Sequence, residues 1–284
     1  MPGRNFKYLF GRLNIIAAYN EDKADFLWRG LSAGITHRVR DHEWGFFEVS
    51  ELQERQFITG FLAKYQPTDS EEYIDPETQE IEERNVTNRI EAKSRFFLHV
   101  KTGILAYQKN SQIEIKTFRD KFREVMKACY SNFFIDVDIQ QINEEKTFFE
   151  AIKKFSSIKK IRVKLHPSNP NSRDIWEDVD NDLQRRRIRE RTEITVFDGE
   201  EGQPVNIDDD AELNARLHMA SDGYGVATID GVRGGQTERV RTGDNPVEAE
   251  VENSVENTSS EPTPILDQLI STFRSLFNRM QNPE

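Results

Sequence analysis

Residues 93–101 read KSRFFLHVK and residues 158–165 read IKKIRVKL, and the alternation in these two stretches decides the fold. In the first, Ser94, Phe96, Leu98 and Val100 fall on one side of an extended chain, and Lys93, Arg95, Phe97, His99 and Lys101 on the other. In the second, Ile161, Val163 and Leu165 oppose Lys160, Arg162, Lys164 and His166. A period of two marks β-strands with one face turned to a core. Working outward, Thr102-Gly103 forms a turn that returns the chain as Ile104–Lys109, giving a hairpin. Phe118, Phe122, Val125, Met126 and Cys129 then recur at helical spacing and predict a helix over about 116–128. A second helix is expected over 144–155.

Further upstream, Phe6–Ala18 reads as a strand, and Asn20 as the N-cap of a helix burying Phe26, Leu27 and Leu31. Trp44–Leu52 and Phe57–Tyr65 read as strands, and the acidic PTDSEEYIDPETQE that follows as an exposed loop or irregular hairpin. Downstream, the prolines of HPSNPNS break the chain before a helix from Ser172 to about Ile188. A strand over Thr192–Phe197, a helix over Asp209–Ala220 and a strand pair, Gly223–Ile229 with Gln236–Arg241, complete the reading. Strands and helices mix without strict βαβ spacing. The expected class is α+β, with largely antiparallel sheets and packed helices. Residues 1–241 form the body, with a possible sub-boundary near 86–90. Residues 242–264 read as a disordered acidic linker, and 265–280 as an amphipathic C-terminal helix.

Composition narrows the function classes. The chain has 284 residues and a single cysteine, Cys129, which excludes a disulfide framework and a cysteine-based zinc cluster. No run of 18 apolar residues and no signal-peptide pattern appears, so the expectation is a cytoplasmic protein without a membrane span. The net charge is −11, yet residues 86–166 carry 17 basic and 9 acidic side chains. That basic block is where a polyanion would bind.

No Walker loop, dinucleotide fingerprint or HExxH motif is present, and neither cofactor nor metal is expected. His37 and His42 lack ligand spacing, and the glycines of Gly223-Tyr-Gly225 and Gly231–Gly235 read as turns. The leading expectation is a non-enzymatic nucleic-acid-binding protein. Lys93, Arg95, Phe97, His99 and Lys101 join Lys160, Arg162 and Lys164 in one surface if both strands share a sheet, with cations for phosphates and a ring for a base. The rival is a metal-dependent nuclease built on Asp136, Asp138, Glu91 and Lys93, because Glu91-Ala-Lys93 has the E-x-K spacing of some such enzymes. A third reading is a protein-only adaptor whose basic block pairs internally. Leu266, Leu269, Ile270, Phe273, Leu276 and Phe277 form an apolar stripe on the last helix. It is expected to dock a protein partner or another copy, making a homo-oligomer, unless it folds back on its own body.

The stretch SRFFLHVKTGILAYQ, the helix FRDKFREVM, then IRVKLHPSNP and SDGYGVATIDGVRGGQTERV carry a further signal. Their order resembles that of bacterial proteins encoded among antiviral defence genes. It is similar to the RexA and KwaB type of phage-exclusion protein, some of which are associated with DNA binding. The resemblance covers residues 90–245 by order of elements. It implies a non-enzymatic prokaryotic defence factor and assigns no residue a role.

Overall fold

Alternation resolves into strands, and helical spacing into helices, in a computed structural model that describes residues 5–16, 22–74, 77, 79, 81–130, 136–168, 173–198, 207–252 and 261–281. In chain order come β1 (Phe6–Ile16), α1 (Lys23–Ser32), β2 (Thr36–Val39), β3 (His42–Leu52), β4 (Phe57–Ile74), β5 (Ile81–His99), β6 (Ile104–Lys109) and α2 (Ile115–Cys129). There follow β7 (Asp136–Gln141), α3 (Glu145–Lys153), β8 (Ser157–Leu165), α4 (Glu177–Arg185), β9 (Arg191–Val196) and α5 (Ala211–Met219). The chain ends with β10 (Gly225–Arg233), β11 (Gln236–Arg241), β12 (Glu248–Val251) and α6 (Thr263–Gln281). All the strand pairs described below are antiparallel, and the fold is α+β. No described helix is long and apolar enough to cross a membrane.

The chain divides into two compact units. A terminal unit comprises Met1–Tyr19, Lys101–Ala106 and Ile135–Glu284, and an inserted unit comprises Asn20–Val100 and Tyr107–Phe134. β5 runs without a break through residues 86–90, where a sub-boundary was expected.

In the inserted unit the strand order is β2-β3-β4-β5. The acidic stretch after Tyr65 is the far end of the long β4–β5 hairpin, paired in register from Thr68↔Thr87 to Ile74↔Ile81. Its polar sequence reported exposure; backbone pairing supplies the strand. One sheet face is covered by α2, whose Phe122 lies 4.7 Å from Phe46 and 5.4 Å from Phe96, ring centre to ring centre. Tyr107 stacks on Phe118 at 4.4 Å. The cap of α1 is Asp22, which accepts from the backbone N–H of Ala24 at 2.8 Å and of Asp25 at 3.3 Å. Asn20, expected in that role, lies outside the described residues. His37 and His42 sit on the β2–β3 hairpin rather than in a loop.

In the terminal unit β1 pairs with β12 from Phe6↔Val251 to Leu9↔Glu248, and with β7 from Gly11↔Gln141 to Ile16↔Asp136. Part of the expected linker is therefore strand, and residues 253–260 lie outside the described residues. A second sheet has the order β11-β10-β8-β9. Gly234 and Gly235, with φ of 57° and 77°, are the two central residues of the β10–β11 turn, where both positions need positive φ. The inner face of this sheet, Ile161, Val163, Leu165, Ala227, Ile229 and Val240, packs with Phe148, Ile152 and Phe155 of and after α3, Leu183 of α4, and Leu213 and Leu217 of α5. The helix expected from Ser172 begins instead as a short 3-10 turn, Asp174–Trp176, and Ser172 itself lies outside the described residues.

The stripe on α6 is satisfied within its own unit. Leu266, Leu269, Phe273 and Leu276 are buried, and Phe10 meets Phe273 edge to face at 5.1 Å. The helix thus folds back, as the alternative reading had it: Leu266, Leu269, Phe273 and Leu276 are not open to an outside partner, while Ile270 and Phe277 are half-buried. A buried ion network fixes the end of the helix. The Arg279 guanidinium lies 2.7 Å from Glu145 and 2.6 Å from Asp222, and donates to the Asn143 carbonyl at 2.7 Å. Asp222 also accepts from Trp176 Nε1 at 2.8 Å and from Arg173 at 3.3 Å. Burial alone would raise the Glu145 carboxyl. The hydrogen bond with His218 and the charges of Arg279 and Arg173 outweigh it and hold the pKa at about 2 against an ordinary 4.5.

Candidate nucleic-acid interface

The outer face of the β11-β10-β8-β9 sheet follows from its register. One row across the strands is Arg241, Thr228, Arg162, Ile194; the next is Arg239, Asp230, Lys160, Val196; a third holds Val226, Lys164 and Thr192. Strand spacing of about 4.8 Å and a rise of about 3.4 Å per residue put these cations within a patch of roughly 10 by 14 Å. Lys160, Arg162, Arg239 and Arg241 are exposed and Lys164 is half-buried. The inward neighbours Ile161, Val163 and Leu165 anchor the strand, so the alternation read from the sequence here is the alternation of the folded sheet.

Five cations thus share a face with one carboxylate, Asp230. Arg239 donates to Asp230 at 2.6 Å, and this hydrogen bond is the main reason that the aspartate titrates below its ordinary range. Lys164 lies 2.6 Å from Glu190. Among the described residues, Lys160, Arg162 and Arg241 make no ion pair. Exposed pairs of the Arg239–Asp230 kind contribute about 0–1 kcal/mol and yield to a phosphate at little cost. Ile194 and Val196 on the edge strand, 54% and 68% exposed, border the patch with apolar surface. The arginines between α4 and β9 are partly neutralised. Asp182 holds Arg191, Arg185 at 2.9 Å and Arg186 at 3.3 Å, and those bonds, Arg191 first, bring its pKa to about 2.

The other expected half of the surface is not there. β5 belongs to the inserted unit and to a different sheet from β8, so the two strands do not extend one face. Arg95, Phe97 and His99 are buried, at 8%, 0% and 9% exposure. Phe97 sits opposite Thr59 and His99 opposite Phe57, both buried, and the Arg95 guanidinium lies 4.3 Å from the centre of the Phe61 ring. Only Lys93 and Lys101 of that set are exposed. His166, placed with the β8 cations, is also buried; the strand ends before it, and its Nδ1 meets the Arg189 carbonyl at 3.2 Å.

The residues suggested for metal-assisted cleavage are divided between the two units. Glu91 and Lys93 lie in the inserted unit, Asp136 and Asp138 in the terminal unit. Glu91 is occupied by Lys64 and by His42, the latter at 2.8 Å, and the Lys64 hydrogen bond lowers its pKa. Among the described residues, no three His, Cys, Asp or Glu side chains are placed to hold a metal ion.

The sequence reading missed Arg239 and Arg241. The signal was available: QTERVR alternates, and a two-glycine turn back onto β10 fixes which residues share the β8 face. No curated protein matches the sequence. Residues 7–271 match one family, and the chain belongs to it: Domain of unknown function (DUF4747).

Proposed function

We propose that the chain is a nucleic-acid-binding protein that uses the outer face of the β11-β10-β8-β9 sheet, without cutting its ligand. The observation that supports this most is the set of five cations, Lys160, Arg162, Lys164, Arg239 and Arg241, on one sheet face, of which Asp230 engages Arg239 and Glu190 engages Lys164. The apolar border of Ile194 and Val196 favours a polyanion with apolar surface of its own, which bases provide and polyphosphate does not. A sheet with its inner face in a core presents these charges on a fixed backbone, so the ordering cost of binding falls on the side chains alone. A role in phage exclusion is part of the same proposal and rests on the sequence resemblance.

Fluorescence anisotropy with labelled duplex DNA and single-stranded RNA, titrated over a range of salt, tests the reading. Five phosphate contacts set a limiting log–log salt slope of about −4.5 on duplex and about −3.5 on single strands. Absence of binding at low salt, or binding with no salt dependence, removes the proposal. Cleavage of either probe with Mg²⁺ or Mn²⁺ would replace it with the nuclease reading.

A further inference from the structure

The inserted unit carries a different surface on the sheet face away from α2. The register of β3, β4 and β5 sets three rows there: Phe47, Phe61, Arg95; then Gly45, Ala63, Lys93; then Glu43, Tyr65, Ile90. The middle row is small except for its end. It makes a trough of about 420 Å³ over Ala63, walled by Phe61 and Tyr65 and closed at the β5 end by Lys93. The trough is built rather than incidental. A β-bulge follows Phe47, between it and Ser50, and a second at Lys64/Tyr65 sets Tyr65 opposite Ile90. Phe47 leans across Gly45, where a Cβ would come within 3.1 Å of its ring, and meets Tyr65 edge to face at 5.7 Å.

Most of this lining is apolar, and Phe47 and Ile90 remain 39% and 60% exposed, an uncommon cost for a sheet face with nothing upon it. The polar side chains of the lining are Glu48, Asn88 and Lys93, and Lys93, at the closed end, is its cation. Lys93 Nζ lies 4.4 Å from the centre of the Phe61 ring, and among the described residues it makes no ion pair. The Tyr65 hydroxyl is already engaged, donating to Glu43 at 2.6 Å. The wall therefore offers ring surface, and recognition of charge falls to Lys93.

We propose that this trough binds a small planar aromatic molecule with one anionic group, its ring over Ala63 between Phe61 and Tyr65 and its anion on Lys93. Flat rings suit walls made of ring edges and faces, where aromatic pairs gain more than their area alone provides. An anion at the closed end gains a charge-assisted hydrogen bond in surroundings that are partly dry. The site is independent of the cationic face of the terminal unit.

Isothermal titration of the full chain with 2-naphthoate tests this, beside neutral 2-naphthamide and aliphatic octanoate. Expected is saturable, one-to-one binding of naphthoate, roughly tenfold weaker for the amide and for octanoate, as loss of one charge-assisted bond or of ring contacts implies. Ala63→Leu fills the trough without changing charge and is expected to abolish binding. Lys93→Gln is expected to weaken naphthoate about tenfold and leave the amide unchanged. Phe47→Ala, at an exposed position on the trough's rim, is expected to weaken all three. Arg162→Gln should change nothing. No naphthoate binding, binding indifferent to both Ala63→Leu and Lys93→Gln, or octanoate binding best would each overturn the proposal. So would an oligonucleotide, rather than naphthoate, being the species whose binding Ala63→Leu removes.

Discussion

β5 and β8 carry the same pattern of cation and apolar residue in sequence and end in opposite circumstances. On β8 the cations Lys160, Arg162 and Lys164 face outward over a packed layer of helices. On β5, Arg95 and His99 are buried beside Phe61 and Phe57, and Phe97 is fully enclosed. Alternation tells which residues share a face, because the pleat of a strand enforces it. It does not tell what lies over that face. The difference was already marked by residue type: the second face of β5 includes Phe97 and His99, whereas that of β8 has only lysine and arginine up to the end of the strand.

The comparison can be broken or sharpened by measurement. The largest contrast is in stability. Phe97→Ala should cost about 3–5 kcal/mol in urea unfolding, and Arg162→Ala should stay within about 0.5 kcal/mol, the ordinary range of an exposed site. Equal losses would mean that the two faces are covered alike. A buried cation elsewhere gives a further reference. Arg279→Met leaves Asp222 and Glu145 short of a partner and should cost about 3 kcal/mol, measured the same way, where Arg241→Met costs nearly nothing. Next comes the salt slope. Reversing two charges, Lys160→Glu with Arg162→Glu, should flatten the slope on duplex DNA by about 1.8, while Lys93→Glu leaves it unchanged. A flattened slope in Lys93→Glu would return β5 to the interface.

The smallest effect is in acid. The folded Glu145 carboxyl sits at about 2, below its ordinary 4.5, so its ion pairs contribute fully above about pH 4.5. That contribution falls away as pH drops from there toward 2. Glu145→Gln should show a flatter dependence of stability on pH in that window, by urea unfolding at successive pH values, and the same dependence as the parent above it. Identical curves would mean that this carboxyl is not held below its ordinary value in the folded protein.

Much of the fold was legible because strong periodicity and local turn chemistry act over short range. α2 follows from Phe118, Phe122, Val125 and Met126, and the β10–β11 hairpin from Gly234-Gly235. Two kinds of feature were not legible. One was polar strand: the far end of the β4–β5 hairpin and β12 take their structure from backbone pairing, β12 with chain at the far end of the sequence, and their residue types carry no periodic signal. The other was destination. The stripe on α6 was read correctly as apolar, yet nothing in residues 265–280 says that Phe10, at the other end of the chain, receives Phe273. Half of the candidate interface was read from β8; the other half needed β11, whose arginines join it only through the sheet order.

The pairing of Phe6 with Val251 has a consequence for biosynthesis. β1 is made before the inserted unit, but two of the elements it packs against, β12 and α6, are made after it. The inserted unit is complete once Phe134 has emerged, and it is expected to fold while translation continues. The terminal unit must keep β1 waiting, with part of its apolar face uncovered, until β12 and α6 have emerged. Arrested chains ending before residue 248 should accordingly show a protease-resistant inserted unit and a digestible N-terminus.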